Sequence, residues 1–303
     1  MSSPNRRAFL RTAAVFGAGA ALASPSQAIE PIARIGKPRL KLSLAAYSFR
    51  QALDLKRKPK PEMTLFDFID FGATQPLDAV ELTAYYFPET GTDYLAALKG
   101  HCARLGLDIS GTAVGNNFCV SDPAKLREQI ASVKQWTEHT ARLGGKTMRI
   151  FAGALAKGDS EEKARQRCVE AIQESCDHAA KFGVYLALEN HGGIVTTAEQ
   201  MLAVVRAVKH DWFGVNFDTG NFHTADPYGD LEKIAPYAVV CQIKTEVQPA
   251  NGPKQEADLK RLLNILRKVN FRGYVALEYE AAEDAKKAVP RALAELRKLI
   301  DAG

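Results

Sequence analysis

Short apolar runs alternate with longer amphipathic segments along the chain from residue 40 onward. Each apolar run ends in polar residues, and a segment with the periodicity of a helix follows it. The pattern predicts strands at 40–49, 79–86, 107–114, 147–153, 184–191, 213–219, 239–245 and 274–280. It predicts helices near 64–74, 92–105, 123–144, 160–182, 197–208, 230–236, 257–268 and 284–301.

Capping residues support the predicted helix limits. Thr64, Asp122 and Ser160 stand where helices begin, and their side-chain oxygens can accept hydrogen bonds from the free N–H groups of a first turn. Gly106 and Gly183 stand where helices end, because glycine readily adopts the left-handed conformation that terminates a helix.

Strict alternation of strands and helices predicts a parallel sheet. Eight strand–helix units leave roughly 33 residues for each, enough for a strand, a helix and two loops. We therefore predict an α/β fold, a single (β/α)8 TIM barrel over residues 40–303. An open, doubly wound sheet is less favoured, since no G-x-G-x-x-G follows a predicted strand and no P-loop motif is present.

The composition is that of an ordinary globular protein, with 46% hydrophobic and 25% charged residues. It excludes a wholly disordered chain, a collagen-like repeat and a protein with many membrane spans. The net charge is only +5, so we expect no nucleic-acid partner, and we expect no integral membrane domain. Five cysteines without C-x-x-C spacing predict neither a zinc ribbon nor a disulfide framework.

The start of the chain differs from the rest because it is basic and contains no acidic residue. Arg6, Arg7 and Arg11 precede a mild apolar run at 12–23, and small residues follow up to Ala28. This order is typical of an export signal. Without these three arginines the net charge is +2, so the remaining chain is nearly neutral.

The arginine pair resembles a twin-arginine signal, which implies export of a folded protein. We predict a signal peptide at 1–28, a linker at 29–39, and a location in the periplasm or cell envelope of a bacterium. A disordered basic tail before a buried helix is the alternative.

Polar and charged residues recur with a period of two toward the carboxyl ends of the predicted strands. Side chains two apart on a strand point to the same face, and we expect this face to line the catalytic end of the barrel. The residues are Glu81, Arg149, Glu189, His191, Asn216, Asp218, Gln242, Lys244, Glu278 and Glu280.

Ionised groups inside a barrel are costly unless they are paired or bound to a metal. Glu280 stands at the very end of its run, and without it the set holds four carboxylates and two cations. The resulting charge of −2 is one that a single divalent cation would neutralise.

Four of these residues form the candidate metal-ligand set, namely Glu189, Asp218, Gln242 and Glu278. They lie on four consecutive predicted strands, so their side chains can converge on one point. Three carboxylates and an amide oxygen form a hard donor set, which favours Mn²⁺ or Mg²⁺ over Co²⁺ or Zn²⁺. Salt bridges at the barrel rim are the alternative interpretation of the carboxylates.

Several short motifs occur at these strand ends: ENHGG at 189–193, NFDTGN at 216–221, ALE at 276–278, VEL at 80–82 and MRIF at 148–151. Together they resemble the sugar phosphate isomerase/epimerase family of the xylose-isomerase-like barrel superfamily. The resemblance implies that the matching glutamates and aspartate bind a divalent metal, and that a histidine on strand seven completes the site. This chain carries Gln242 where that histidine is expected.

The resemblance also implies an activity. Family isomerases and epimerases use two glutamates, here Glu189 and Glu278, to move a proton at a sugar carbon next to a carbonyl. We therefore expect a metal-dependent isomerase or epimerase of a sugar or keto-sugar. A lyase or hydrolase of a keto-glycoside and a non-catalytic sugar-binding barrel remain as alternatives. A DNA endonuclease with three metal ions is not favoured, since that site needs several histidines and a basic groove.

Six residues are candidates for contact with a small carbohydrate substrate. Lys244 can hold a hydroxyl or an oxyanion, or it can balance the carboxylates. Arg149 can contact substrate or pair with Glu81. The candidates are Glu81, Arg149, His191, Asn221, His223 and Lys244. Assembly into a homo-oligomer is left open.

Overall fold

Eight parallel strands close into a barrel in the computed structural model, which describes residues 29–57 and 60–303. The barrel strands pair with their neighbours in chain order, and the last one closes the ring on the first. Two further strands form a separate antiparallel hairpin. Seven barrel strands come first, β1 (Arg39–Ala45), β2 (Ala79–Thr83), β3 (Asp108–Ala113), β4 (Thr147–Ile150), β5 (Tyr185–Glu189), β6 (Phe213–Asp218) and β7 (Ala238–Ile243); the hairpin strands β8 (Glu246–Val247) and β9 (Gln255–Glu256) precede the last barrel strand, β10 (Arg272–Leu277).

An α-helix follows each barrel strand and packs on the outside of the barrel. The predicted (β/α)8 TIM barrel is therefore confirmed, and each helix limit lies within a few residues of its prediction. In the described residues the helices are α1 (Leu65–Ala73), α2 (Thr92–Arg104), α3 (Pro123–Leu143), α4 (Glu161–Phe182), α5 (Ala198–Val205), α6 (Pro227–Ile234), α7 (Leu259–Lys268) and α8 (Ala285–Asp301).

The predicted caps lie at the helix ends. Thr64 and Asp67 form a reciprocal capping box at the start of α1, and the Ser160 hydroxyl accepts a hydrogen bond from the Lys163 N–H at the start of α4. Gly183 ends α4 in the left-handed conformation. These local signals explain why the helix limits can be derived from the sequence.

The strands are shorter than predicted at their carboxyl ends. Residues 46–49 and 84–86, expected to extend β1 and β2, form single 3₁₀ turns. Pairing of β7 with β10 ends at Ile243 and Leu277. Lys244 is therefore the first residue after β7, and Glu278 is the first residue after β10. Beyond these residues the chain leaves the strand pairing and forms the loops of the barrel mouth.

The barrel interior alternates with the outer core as the period of two predicts. Val215, Phe217 and Ile243 are buried in the hydrophobic core, while the intervening Asn216 and Gln242 side chains hydrogen-bond to each other. Polar side chains therefore face the interior on β6 and β7, where the neighbouring apolar side chains face the helices.

The segment predicted as a linker contacts the barrel. The Ile29 N–H donates to the Val208 carbonyl at 3.3 Å and the Ile32 N–H donates to the Pro236 carbonyl at 3.0 Å. The Arg34 guanidinium donates to the Ala238 carbonyl. The predicted signal peptide at 1–28 lies outside the described residues. Among the helices of the part that is described, none is long and apolar enough to cross a membrane.

Candidate active site at the carboxyl ends of the strands

Ionisable side chains that are almost fully buried meet at the carboxyl ends of the barrel strands. Glu81, Glu189 and Asp218 are 1%, 2% and 0% exposed. Arg149 and Glu278 are both 4% exposed, and Lys244 is 8% exposed. Buried charges are retained at a cost unless they are paired, so this cluster is the strongest candidate for a functional site.

Lys244 is the centre of the cluster. Its Nζ atom lies 2.6 Å from Glu280 Oε2, 3.3 Å from Glu278 Oε2 and 3.4 Å from Asp218 Oδ2. It also donates to Asn221 Oδ1 at 3.1 Å. The ammonium therefore lies between side chains at the carboxyl end of β6 and side chains that follow β10.

Gly220 is needed for this position of the lysine. A Cβ atom on Gly220 would lie 2.5 Å from Lys244 Cδ, so any larger residue would displace the lysine chain. The Lys244 backbone N–H also donates to Thr219 Oγ1 at 2.8 Å. The glycine of the NFDTGN motif thus has a packing role beside Lys244.

Arg149 pairs with Glu189, and the expected pairing with Glu81 is wrong. Arg149 Nε lies 2.9 Å from Glu189 Oε2, and its Nη1 donates to the Val114 carbonyl at 2.8 Å. The strand register explains this pairing. Arg149 on β4 is aligned with Ala187 on the adjacent β5, and Glu189 lies two residues beyond Ala187 on the same face. Asn221 Nδ2 donates to the other Glu189 oxygen at 2.7 Å, so both oxygens of this carboxylate have partners.

Glu81 and Gln242 form a second polar layer. Gln242 Nε2 donates to Glu81 Oε1 at 2.7 Å, and Gln242 Oε1 accepts from Asn216 Nδ2 at 2.6 Å. Asn216 Nδ2 also lies 3.4 Å from Glu189 Oε2. Both ends of the Gln242 amide are therefore hydrogen-bonded within the barrel.

Aromatic side chains line one side of the site. The Phe151 and His191 rings lie 4.4 Å apart between centroids, and the Arg149 guanidinium lies 3.9 Å from the Phe151 centroid. The cavity has a volume of about 180 Å³ and is lined by Tyr47, Tyr85, Arg149, Phe151, Glu189, His191, Lys244, Glu278 and Glu280. Sequence reasoning missed Tyr47 and Tyr85 as lining residues, although both lie within predicted strands; in the structure they lie in the 3₁₀ turns that follow β1 and β2.

An adjoining cavity of about 180 Å³ shares Lys244 and Glu280 with the first and is also lined by Asn221 and His223. His223 Nδ1 lies 3.1 Å from the Gln248 carbonyl oxygen. His223 is thus at the rim, joined to the loop that carries the hairpin, whereas His191 lines the first cavity. Burial lowers the pKa of His191, with Arg149 and Lys244 adding to the shift, which favours the neutral ring.

Burial raises the pKa of each of the four interior carboxyl groups to about 7. This holds for Glu81, Glu189, Asp218 and Glu278. Burial also disfavours the Lys244 ammonium, but the carboxylates around it outweigh that effect and raise its pKa. The excess negative charge can therefore be relieved by protonation, and carboxyl groups with such pKa values can both accept and donate protons near neutral pH.

The four predicted metal ligands belong to the same buried cluster, but other groups occupy their donor atoms. Lys244 lies between Asp218 and Glu278, the Gln242 amide is committed to Glu81 and Asn216, and Glu189 is paired with Arg149. Within the described ranges, no three His, Cys, Asp or Glu side chains are grouped closely enough to hold a metal ion. This arrangement does not fit a divalent cation unless the ammonium moves away.

A family model for the xylose isomerase-like TIM barrel matches residues 66–299. The chain belongs to this family. The chain is also similar to the 3-dehydroshikimate dehydratase of Bacillus anthracis, which is 22% identical over 208 residues covering 65% of this chain and 69% of the relative.

Solved structures share the barrel. D-psicose 3-epimerase, solved in the presence of D-fructose, superposes with a TM-score of 0.71 at 17% identity, covering 87% of this chain and 100% of the other. The 3-keto-D-glucoside 4-epimerase YcjR of E. coli superposes with a TM-score of 0.67 at 16% sequence identity, covering 86% of this chain and 100% of the other. The IOLI protein with a bound zinc atom superposes with a TM-score of 0.68 at 22% sequence identity, covering 86% of this chain and 96% of the other. At these identities the likeness shows the common fold.

Proposed function

We propose that this protein is an enzyme that isomerises or epimerises a sugar or keto-sugar by moving a proton at a carbon next to a carbonyl. The observation that carries the proposal is the pair of buried glutamates, Glu189 and Glu278, which line the same cavity. Burial raises the pKa of both carboxyl groups to about 7, so one can be ionised while the other is protonated at neutral pH.

The two carboxyl groups have different roles in the proposed reaction. One removes the proton from the carbon next to the carbonyl, and the other delivers a proton to the opposite face or to the neighbouring carbon. The Arg149 guanidinium and the Asn221 amide hold the Glu189 carboxylate in place at the cavity.

The lining of the cavity supports a carbohydrate substrate. Tyr47, Tyr85 and Phe151 offer aromatic faces to the C–H groups of a sugar ring, while His191 and Lys244 offer polar groups to its hydroxyls. Two epimerases with the same fold are named for their substrates, one for the ketose D-psicose and the other for a 3-keto-D-glucoside. Glu81 is not among these lining residues and accepts a hydrogen bond from Gln242, so we assign it to support of Gln242 rather than to contact with substrate.

Loss of a leaving group is the second candidate outcome, because the relative from Bacillus anthracis is a dehydratase. Such an enzyme begins with the same proton abstraction next to a carbonyl and then expels a hydroxyl or a glycosidic oxygen. A barrel that only binds sugar is disfavoured by the presence of both glutamates in one cavity.

The family implies one divalent cation, for which the all-oxygen donor set favours Mn²⁺ or Mg²⁺. Such an ion would act as a Lewis acid on a substrate oxygen. The position of Lys244 argues against its binding, so no step of the proposed reaction is assigned to a metal.

Deuterium uptake tests the proposed function. The protein is incubated in D₂O with D-fructose, D-psicose, D-tagatose, a methyl 3-keto-D-glucoside, a ketose phosphate and 3-dehydroshikimate, and products are read by NMR and mass spectrometry. We expect deuterium at the carbon next to the carbonyl of at least one compound. We expect Glu189→Gln and Glu278→Gln each to slow uptake by about 10²-fold or more, while Glu295→Gln on the exposed face of α8 leaves it unchanged.

Binding of a sugar without deuterium uptake would support the sugar-binding alternative. Release of water or of the glycosidic alcohol would support the second candidate outcome. Uptake that persists in both glutamate variants contradicts the assigned roles.

We also propose that the protein is exported by the twin-arginine route. Arg6 and Arg7 carry this proposal, and fractionation of bacterial cells tests it. The replacement of both by Lys should leave the protein inside the cell, whereas the same replacement at Arg104 and Arg142 should leave its location unchanged. Equal amounts outside the cytoplasm for all these variants contradict the proposal.

A further inference from the structure

We propose that the Lys244 ammonium takes the place of a divalent cation in this barrel, so that the reaction proceeds without a metal. The inference rests on the proposed function, because it assigns the group that stabilises negative charge on the substrate oxygen.

The position of the ammonium is the first observation. Nζ lies 3.4 Å from Asp218 Oδ2 and 3.3 Å from Glu278 Oε2, which are two of the predicted metal ligands. A cation that bridged these carboxylates would occupy the volume that Nζ already fills. The positive charge that the carboxylates require is thus part of the polypeptide.

The state of the other predicted ligands is the second observation. The Gln242 amide donates to Glu81 and accepts from Asn216, so it is held within the barrel by bonds at both ends. Both Glu189 oxygens are engaged, one by Arg149 and one by Asn221. Neither side chain presents an unshared donor set to a metal at the position of Lys244.

The number of acceptors around Lys244 is the third observation. An ammonium has three N–H groups, but oxygen atoms of Asn221, Asp218, Glu278 and Glu280 all lie within 3.4 Å of Nζ. The contacts to Asp218 and Glu278 are long for hydrogen bonds, and Asp218 Oδ2 has no hydrogen-bond partner. One N–H group can therefore turn to a substrate oxygen without the loss of a strong bond.

The proposed proton transfer needs no reactant other than the substrate and the two glutamates. One glutamate takes the proton, the electron pair of the broken C–H bond forms a C=C bond, and the carbonyl π pair moves to the oxygen. The ammonium donates a hydrogen bond to that oxygen and keeps its proton. The second glutamate then supplies a proton as the carbonyl re-forms, so the substrate and product differ only in the position of hydrogen.

Mn²⁺ titration followed by electron paramagnetic resonance tests the inference without any substrate. The protein is first treated with EDTA, and the EDTA is then removed. The wild type should bind Mn²⁺ only weakly, with a Kd no lower than about 1 mM. Lys244→Ala should bind one Mn²⁺ at least about tenfold more tightly, because it frees the carboxylates of Asp218, Glu278 and Glu280. Lys268→Ala removes an exposed lysine from the end of α7 and should behave as the wild type.

Lys244→Met keeps the aliphatic chain and serves where Lys244→Ala unfolds, as judged by circular dichroism. Tight binding of one Mn²⁺ by the wild type overturns the inference, as does a folded Lys244 variant that binds Mn²⁺ no more tightly than the wild type.

Deuterium uptake separates this inference from the proposed function. On any compound that exchanges, uptake by the wild type should be unchanged in excess EDTA, and Lys244→Met should slow it by about 10²-fold or more. Uptake that EDTA abolishes and Mn²⁺ restores overturns the inference while the proposed proton transfer stands. If no compound exchanges, the proposed function fails and the Mn²⁺ titration still decides the role of Lys244.

Discussion

The proposed proton transfer depends on single buried carboxyl groups at the barrel mouth, and Glu81 shows how burial changes the pKa of such a group. Its carboxyl group is held by the Gln242 amide at 2.7 Å and lies close to the charge of Glu278. Burial, with the Glu278 charge adding to it, raises the pKa of Glu81 to about 7 from an ordinary value of 4.5. The folded state therefore holds this proton more tightly than the unfolded chain does.

The stability that Glu81 contributes should fall as pH rises between these two pKa values. The protonated carboxyl is present in both states below about pH 4.5, and ionisation disfavours the folded state up to about pH 7. Glu81→Gln removes this loss. We expect the variant to be relatively more stable at high pH: its free energy of unfolding minus that of the wild type should be about 2 kcal/mol larger at about pH 8 than at about pH 5.

Urea unfolding of both proteins at the two pH values measures this difference. Glu295→Gln makes the same chemical change at an exposed position of α8 and should show no such dependence on pH. A Glu81→Gln difference that is equal at both pH values would show that the carboxyl group titrates normally.

At the scale of elements, close contact between the loops after β4 and β5 holds the mouth together. Gly193 has φ of +58°, and a Cβ atom there would lie 2.0 Å from the Gly153 carbonyl oxygen. The Ile194 N–H donates to that same oxygen at 3.3 Å. These loops follow Phe151 and His191, so their contact fixes the aromatic side of the cavity.

Gly193→Ala should therefore destabilise the protein strongly. Gly158→Ala is a matched control, because Gly158 also has a positive φ, of +82°, but a Cβ atom there meets nothing within 4 Å. Both variants strain the backbone, and only the first forces two loops apart. We expect Gly193→Ala to lose at least about 2 kcal/mol more than Gly158→Ala in urea unfolding. Equal losses would mean that the two loops separate without cost.

At the scale of the whole molecule, the fold can be predicted from the sequence because its signals are local. Each apolar run gives a strand, each cap gives a helix end, and eight repeats of the unit give closure. The residues that meet at the mouth could also be predicted, since a period of two places Glu189, Asp218 and Lys244 on one side of their strands.

The partners of these residues could not be predicted in the same way. The pairing of Arg149 with Glu189, the place of Lys244 between Asp218 and Glu278, and the hairpin of β8 and β9 depend on side-chain reach across the barrel and on loop geometry. A sequence shows which charges face inward, but the choice among several carboxylates within reach of one cation is made by packing. The Gly220 contact with Lys244 is such a packing feature.

Deuterium uptake from D₂O at the carbon next to the carbonyl, with excess EDTA present, decides whether two glutamates move the proton without a metal. We expect the wild type to place one deuterium on that carbon in each turnover, Glu189→Gln and Glu278→Gln to lose this uptake, and EDTA to leave it unchanged. A product that forms without any deuterium would rule out the proposed proton transfer, because the hydrogen would then move without exchange at a carboxyl group.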